Sequence, residues 1–308
     1  MKVKISTAQY FKMMNDHMTS QQSKIAELQS QLSVGKKNVT PSTDVKATTS
    51  TLKLSRVISQ QEDDISNLQN VNAGYKEEEA VMMSMVDMLR RMEDISVAAR
   101  SETYGASELE IFAIEVEGYM DDIRGLANRR DSNGHYMFSG TKVSTLPFTK
   151  QADGTVVYNG NQTEPTLELD TGYHLPLSIS GKKLAGVVTR TVGGVTTKND
   201  MFKVMQDFVT ALKADNKTGV DLAVDELQEV SRNLNKNLVD NGLRQNLVEE
   251  RRDIAEEKIV IYKGLLSDAR DVDYASAITQ LSSDMLALEA AQSTFAKVSQ
   301  LSILNFIR

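Results

Sequence analysis

The chain has 308 residues, enough for roughly two domains, with 25% charged residues, a formal net charge of −7, and no cysteine or tryptophan. The lack of cysteine excludes disulfides, thiolate zinc sites and thiol catalysis. The acidic balance, with arginine pairs scattered at 90–91, 129–130 and 251–252, argues against nucleic acid, whose backbone wants a concentrated basic face.

No window approaches the ~20 apolar residues needed to span a bilayer, so no membrane partner is expected. The start, "MKVKISTAQYFKMMNDHM", holds no continuous apolar run of the kind a cleavable signal needs. Aromatic residues are only 6% of the chain, which favours helical bundles built from Leu, Ile, Met and Ala.

The first element reads as a helix with a heptad seam. Phe11, Met18, Ile25 and Leu32 recur every seventh position, Met14 and Leu28 lie on the interleaved series, and Gln21 is a polar interruption. The segment "SVGKKNVTPSTD", with Gly35 and Pro41, breaks the seam, and its "PSTD" is a start signal for a second helix. That helix is predicted over about Lys46–Arg100, and a third over about Ser107–Asn128. Five methionines between Met82 and Met92 read as core filler, or as adaptable thioethers at an interface.

"RRDSNG" is turn chemistry. From Tyr136 to about Asp200 the spacing falls to period two, and Tyr136–Phe138 is expected to begin a strand. "TVVYNGNQ" runs a strand into an Asn-Gly hairpin signal, "TLELD" and "HLPLSIS" alternate, and "AGVVTRTVGGVTT" holds two short strands around Gly193 and Gly194. Helix returns at about Asn199 with Asp200 as its cap. A further helix is predicted over Val220–Asn235, and another from Leu243 almost to Arg308 with a weak point at "SDARDVDYAS". In the last stretch Ile278 and Met285 share one seven-residue series and Leu281, Leu288 and Phe295 the other; Val298, Leu301 and Leu304 then shift the register.

These elements predict a mainly α protein with a small β insert, as an elongated helical bundle or coiled coil formed by the N- and C-terminal segments. The expected organisation is a terminal coiled-coil region (1–42 and 270–308), a helical rod domain (43–135 and 199–269) and an inserted β domain (136–198). The seam residues Met14, Met18, Ile25, Leu28, Leu32, Ile278, Leu281, Met285, Leu288 and Phe295 are candidate assembly contacts. An isolated amphipathic segment of about four heptads is marginal in water, so such ends gain by packing on neighbours.

Catalytic signatures are missing. His17, His135 and His174 stand in "HMTSQ", "HYMFS" and "HLPLS", so none belongs to a His-Glu-x-x-His zinc site. "MFSGT" lacks the first glycine of a nucleophile elbow, and "SVGKKN" lacks the earlier glycine and the hydroxyl of a P-loop. Consecutive residues on a helix point in different directions, so Glu77-Glu78-Glu79 reads as a solvated face. The expectation is no enzyme, no cofactor and no metal. An activity or ligand site carried by the β insert is the second class of reading.

The stretch "NGHYMFSG" reads as a joint between helical and β structure, with Asn133, Gly134, Tyr136, Phe138 and Gly140 as its residues. This joint, with "VVYNGN…LELDTGYHLPLSISG" after it, resembles the hook–filament junction members of the flagellin-like family. The N-terminal "IST…LSVGKKNVTPSTDVKAT" and the C-terminal "DARDVDYASAITQLSSDMLALEAAQSTFAKVSQLSILNFI" are similar to the terminal helices of that family. The resemblance implies an extracellular structural subunit that adapts the flagellar hook to the flagellin filament. It implies export through the flagellar type III channel with a dedicated chaperone, without a cleavable signal. Its implied partners are copies of itself, the first hook-associated protein and flagellin. Flagellin, the bulk filament subunit, is the alternative reading.

Overall fold

The computed structural model describes residues 7–37, 44–169, 172–192 and 194–306. Seven helices and six short strands occur among them: α1 (Thr7–Val34), α2 (Val45–Ala99), α3 (Ala106–Ala127), β1 (Phe148–Lys150), β2 (Val156–Tyr158), β3 (Thr166–Leu169), β4 (Tyr173–Pro176), α4 (Gly181–Ala185), β5 (Val188–Val192), β6 (Val195–Asn199), α5 (Met201–Lys213), α6 (Lys217–Arg270) and α7 (Tyr274–Phe306). The protein is mainly α with a few small strand pairs, as its periodicity predicts. The chain forms two compact units: a terminal unit of residues 1–62 and 256–308, and a central unit of residues 63–255.

In the terminal unit α1 and α7 run antiparallel. The Phe11 and Phe295 rings meet edge to face at 5.4 Å near one end, and Lys36 bridges Asp271 at the other. α1 stops at Gly35, whose φ of +73° suits a residue without Cβ. The Gly35 carbonyl then accepts from the Val272 amide (3.0 Å) and the Lys37 amide donates to the Arg270 carbonyl (2.8 Å). The Asp44 carboxylate caps α2 through the Ala47 amide at 2.9 Å, and Asp273 caps α7 through the Ala275 amide at 3.0 Å. The Pro41 part of the expected break lies outside the described residues.

The central unit has one large core and one small one. The large core joins Met82, Met85, Leu89 and Met92 of α2, the inner face of α3, nearly all of α5's apolar side, and Val220–Leu234 of α6. Met82, Met85 and Met92 are thus core filler, whereas Met83 is exposed. Residues 136–198, read from the sequence as an inserted β domain, hold three separate antiparallel ribbons: β1–β2, β3–β4 and β5–β6. Phe138, Phe148, Ile179, Leu184 and Val188 from this stretch belong to the same core as α3 and α5. The small core packs Leu169 and Leu175 of the β3–β4 ribbon with Leu68, Val71 and Tyr75 of α2 and Val248 of α6.

Three local expectations fail. Tyr136 makes only an isolated antiparallel bridge to Arg130, and Met137–Phe138 is a turn, not a strand: the Tyr136 amide donates to the Val143 carbonyl and the Ser139 amide closes back on Tyr136. The β1–β2 hairpin turns at Gln151–Thr155, not at Asn159-Gly160, because the Asn159 amide still continues the ladder onto the Pro147 carbonyl at 2.8 Å. And α6 runs unbroken through Asn235–Leu243. There Asn237 and Asn241 are buried and donate to the Lys183 carbonyl (3.1 Å) and Glu78 (2.8 Å), so tertiary partners outweigh weak helix propensity.

Candidate functional site: the terminal helix pair and the central joint

The α1–α7 seam is a continuous heptad on both helices. On α1 the seam positions, all half-buried, are Phe11, Met14, Met18, Gln21, Ile25, Leu28 and Leu32. On α7 the half-buried seam positions are Ala277, Leu281, Asp284, Leu288, Ala291, Phe295 and Val298. The polar interruption at Gln21 therefore faces Asp284, and its Nε2 donates to Asp284 Oδ1 at 3.0 Å. Gln280 adds a second donation at 3.1 Å.

Ile278 and Met285 lie one position off this seam, 53% and 51% exposed. Leu281, Leu288 and Phe295 can serve two overlapping seams, one through Ala277, Asp284 and Ala291, the other through Ile278, Met285 and Gln292. Pairing with α1 uses the first and leaves the second open. A groove of about 530 Å³ runs along the open side, lined by Ile25, Met285, Leu286, Leu288 and Gln292. The side chains of Leu301 and Leu304 lie outside the described residues.

The central joint is built from the chain outward. Asp131 closes the turn after α3, its carboxylate accepting from the Asn133 and His135 amides, both at 2.9 Å. Gly134 sits in the turn at φ +79°. Arg130 stacks 4.3 Å from the Tyr136 ring centre and donates to the Tyr136 hydroxyl, fixing the two sides of the turn. Phe138 is fully buried, and its carbonyl accepts from the Gly181 amide at 2.7 Å. Gly140 has φ +67°, and a Cβ there would collide with Asn161. A Cβ on Gly181 would collide with Tyr158, Phe148 and the Phe138 carbonyl, so the start of α4 can lie on this spot only as glycine.

Residues that the sequence reading left out complete the joint. The Tyr158 hydroxyl lies 2.7 Å from the Asn161 carbonyl and 3.0 Å from that of Phe138. Burial pushes its pKa up. The Asn128 side chain exchanges two 2.8 Å hydrogen bonds with the Phe148 backbone, as a strand neighbour would. "VVYNGN" carried the only sequence signal for this set, with Tyr158 two residues before a glycine.

Two polar knots brace the same unit. Glu78 is buried, not solvated as the Glu77–Glu79 run suggested; its carboxylate accepts from the Ile179 amide at 2.9 Å and from Asn241. Loss of hydration pushes its pKa up to about 6, against the lowering pull of those donors and of Arg244. Arg190 of β5 grips both oxygens of buried Glu226 on α6 (2.5 and 2.6 Å) and Asp207 on α5 (2.7 Å). Its guanidinium is held charged chiefly by the hydrogen bonds to Glu226. His135 Nδ1 lies 3.9 Å from the Asp131 carboxylate, but no group of three or more His, Asp or Glu suited to a metal occurs among the described residues. Among those residues no helix is long and apolar enough to cross a membrane.

Residues 5–143 match the family model described as the bacterial flagellin N-terminal helical region. Flagellar hook-associated protein 3 of Escherichia coli (strain K12) is 23% identical over 316 aligned positions, covering 98% of each chain. Flagellin FlaB2 of Treponema pallidum is 20% identical but covers 79% of this chain and 78% of its own. The crystal structure of the flagellar junction protein FlgL from Legionella pneumophila shares the fold, with a TM-score of 0.61 at 15% identity, over 72% of this chain and 99% of that one. The chain is thus similar over residues 5–143 to the flagellin N-terminal helical region and, from end to end, to flagellar hook-associated protein 3.

Proposed function

We propose that this chain is a structural subunit of the bacterial flagellum that joins the hook to the flagellin filament. One observation carries the reading: the similarity to a hook-associated protein 3 spans 98% of both chains, while that to a flagellin stops at 79%. In this reading the subunit leaves the cell unfolded through the type III channel, accompanied by a chaperone. It then folds between the first hook-associated protein and flagellin. A chain with no cysteine has no disulfide to obstruct that passage.

The assembly surface is the terminal unit. Met14, Met18, Ile25, Leu28 and Leu32 with Leu281, Leu288 and Phe295 form a seam that α1 and α7 cover only by half, and Ile278 and Met285 continue it on the open side. Covering this surface contributes roughly 25 cal/mol per Å² removed from water, and in the lone molecule that contribution is incomplete. The turn formed by Asn133, Gly134, Tyr136, Phe138 and Gly140 acts as the joint that holds the ribbons to the helical core.

The test is localisation on whole cells with a labelled antibody. The expected signal is a single spot where filament meets hook. Signal along the whole filament would instead identify a flagellin.

A further inference from the structure

Two stripes of the central unit are apolar, open to solvent and opposite in charge. On α3, Ile111 and Ile114 are 61% and 62% exposed, and Gly118 and Asp122 continue the same helical face. On α6, Val239 and Leu243 are 63% and 62% exposed, and Arg232 and Lys236 lie on their face towards the N-terminus. Asp122, Arg232 and Lys236 have no ion-pair partner among the described residues.

Gly118 leaves the middle of the α3 stripe flat: glycine inside a helix is less stable than alanine, and a Cβ added here would meet nothing within 4 Å. No described residue crowds Gly118, so the helix surface there is open to a side chain from outside, as it is at Gly125 two turns further along the same face.

We propose that the α6 stripe of one copy docks antiparallel on the α3 stripe of the next. The inference rests on the self-assembling reading above and goes beyond it by naming the lateral contact in the central unit. The two stripes fit in one register. With Leu243 against Ile111 and Val239 against Ile114, antiparallel running places Lys236 over Gly118 and Arg232 opposite Asp122. The small residue lets the lysine stem lie close, and the ion pair fixes direction. Made once between each pair of copies, this contact is head to tail and can propagate around a ring or helix, whereas a reciprocal pair of such contacts would stop at a dimer.

The chain's lack of cysteine makes the test clean. Cells co-express Ile111→Cys and Leu243→Cys chains, and isolated flagella are treated with a mild oxidant. The expected product is a disulfide dimer of this chain, absent with Ile111→Cys alone and absent when Met83→Cys replaces Leu243→Cys. Arg232→Glu or Asp122→Arg, introduced into both chains, lowers the yield about tenfold or more; the two together restore it. Gly118→Ala raises the melting temperature by about 2 °C while lowering the yield. A chain that sits at the hook–filament boundary yet gives no such dimer overturns this contact and leaves the junction reading standing. So does a cross-link to a different protein, or a charge exchange that fails to restore the yield. Absence of the chain from that boundary instead defeats the junction reading itself.

Discussion

Gln21 Nε2 donates to Asp284 Oδ1 at 3.0 Å in the middle of an otherwise apolar α1–α7 seam. A polar pair at such a position favours one pairing of the helices at a cost in stability. Asp284→Leu is expected to tighten the pair by about 1 kcal/mol, since one more apolar side chain enters the seam. Amide exchange across Met18–Ile25 should slow accordingly. Faster exchange would mean that the polar pair is a net stabilising contact.

Leu281→Asp places a second carboxylate one turn from Asp284, on the position common to both seams of α7. The purified chain should keep its central unit, because that unit has its own core. Cells carrying the variant should lose filament attachment and swimming. Normal motile filaments would remove α7 from the assembly surface.

Glu78 makes stability depend on pH. Its folded pKa, about 6, lies above the 4.5 expected when unfolded. The native state therefore binds the extra proton, and stability is full below about pH 4.5 and falls as pH rises through 6. The loss is about 2 kcal/mol, taking 1.4 kcal/mol per pKa unit. Urea titrations between pH 4.5 and 7.5 should show this slope, and Glu78→Gln, which keeps an acceptor for the Ile179 amide, should flatten it. An unchanged slope would assign it to other groups.

Arg190→Met should cost about 3 kcal/mol, because it strands the buried Glu226 carboxylate without its partner. Replacing Glu226 as well, as Arg190→Met with Glu226→Met, should recover most of the loss. Urea midpoints of the full chain decide this, and a fully additive double variant would show that the pair is not coupled.

Gly134 and Gly140 both have positive φ, but only Gly140 is also crowded. Gly134→Ala should cost about 1 kcal/mol for backbone strain alone. Gly140→Ala should cost clearly more, since Asn161 must move as well. Thermal melts of the two variants compare them directly, and equal losses would mean that Asn161 yields freely.

Much of this protein was legible in one dimension. The bounds of α2, α3 and α5, the Asp44 and Asp200 caps, and the β3–β4 and β5–β6 ribbons follow from periodicity, capping and turn chemistry, which act over a few residues. The α1 seam was legible for the same reason: its apolar positions share one face whatever packs on it. The unbroken course of α6 through Asn235–Leu243 and the burial of Glu78 were not, because the hydrogen bonds that satisfy them come from more than 50 residues away along the chain.

The sequence by itself settled that helices with heptad faces lie at both ends and that the middle turns into short ribbons, since local backbone preference and side-chain spacing suffice for that. Only the tertiary structure decided which face of α7 meets α1. Leu281, Leu288 and Phe295 fit either seam, and the observed pairing sets Asp284 against Gln21 and brings Ala277 and Ala291 of α7, not Ile278 and Gln292, into the seam. The tertiary structure also decided what holds the ribbons down: Tyr158, Asn128, Arg190 and Glu78 act through partners that spacing along a chain does not reveal.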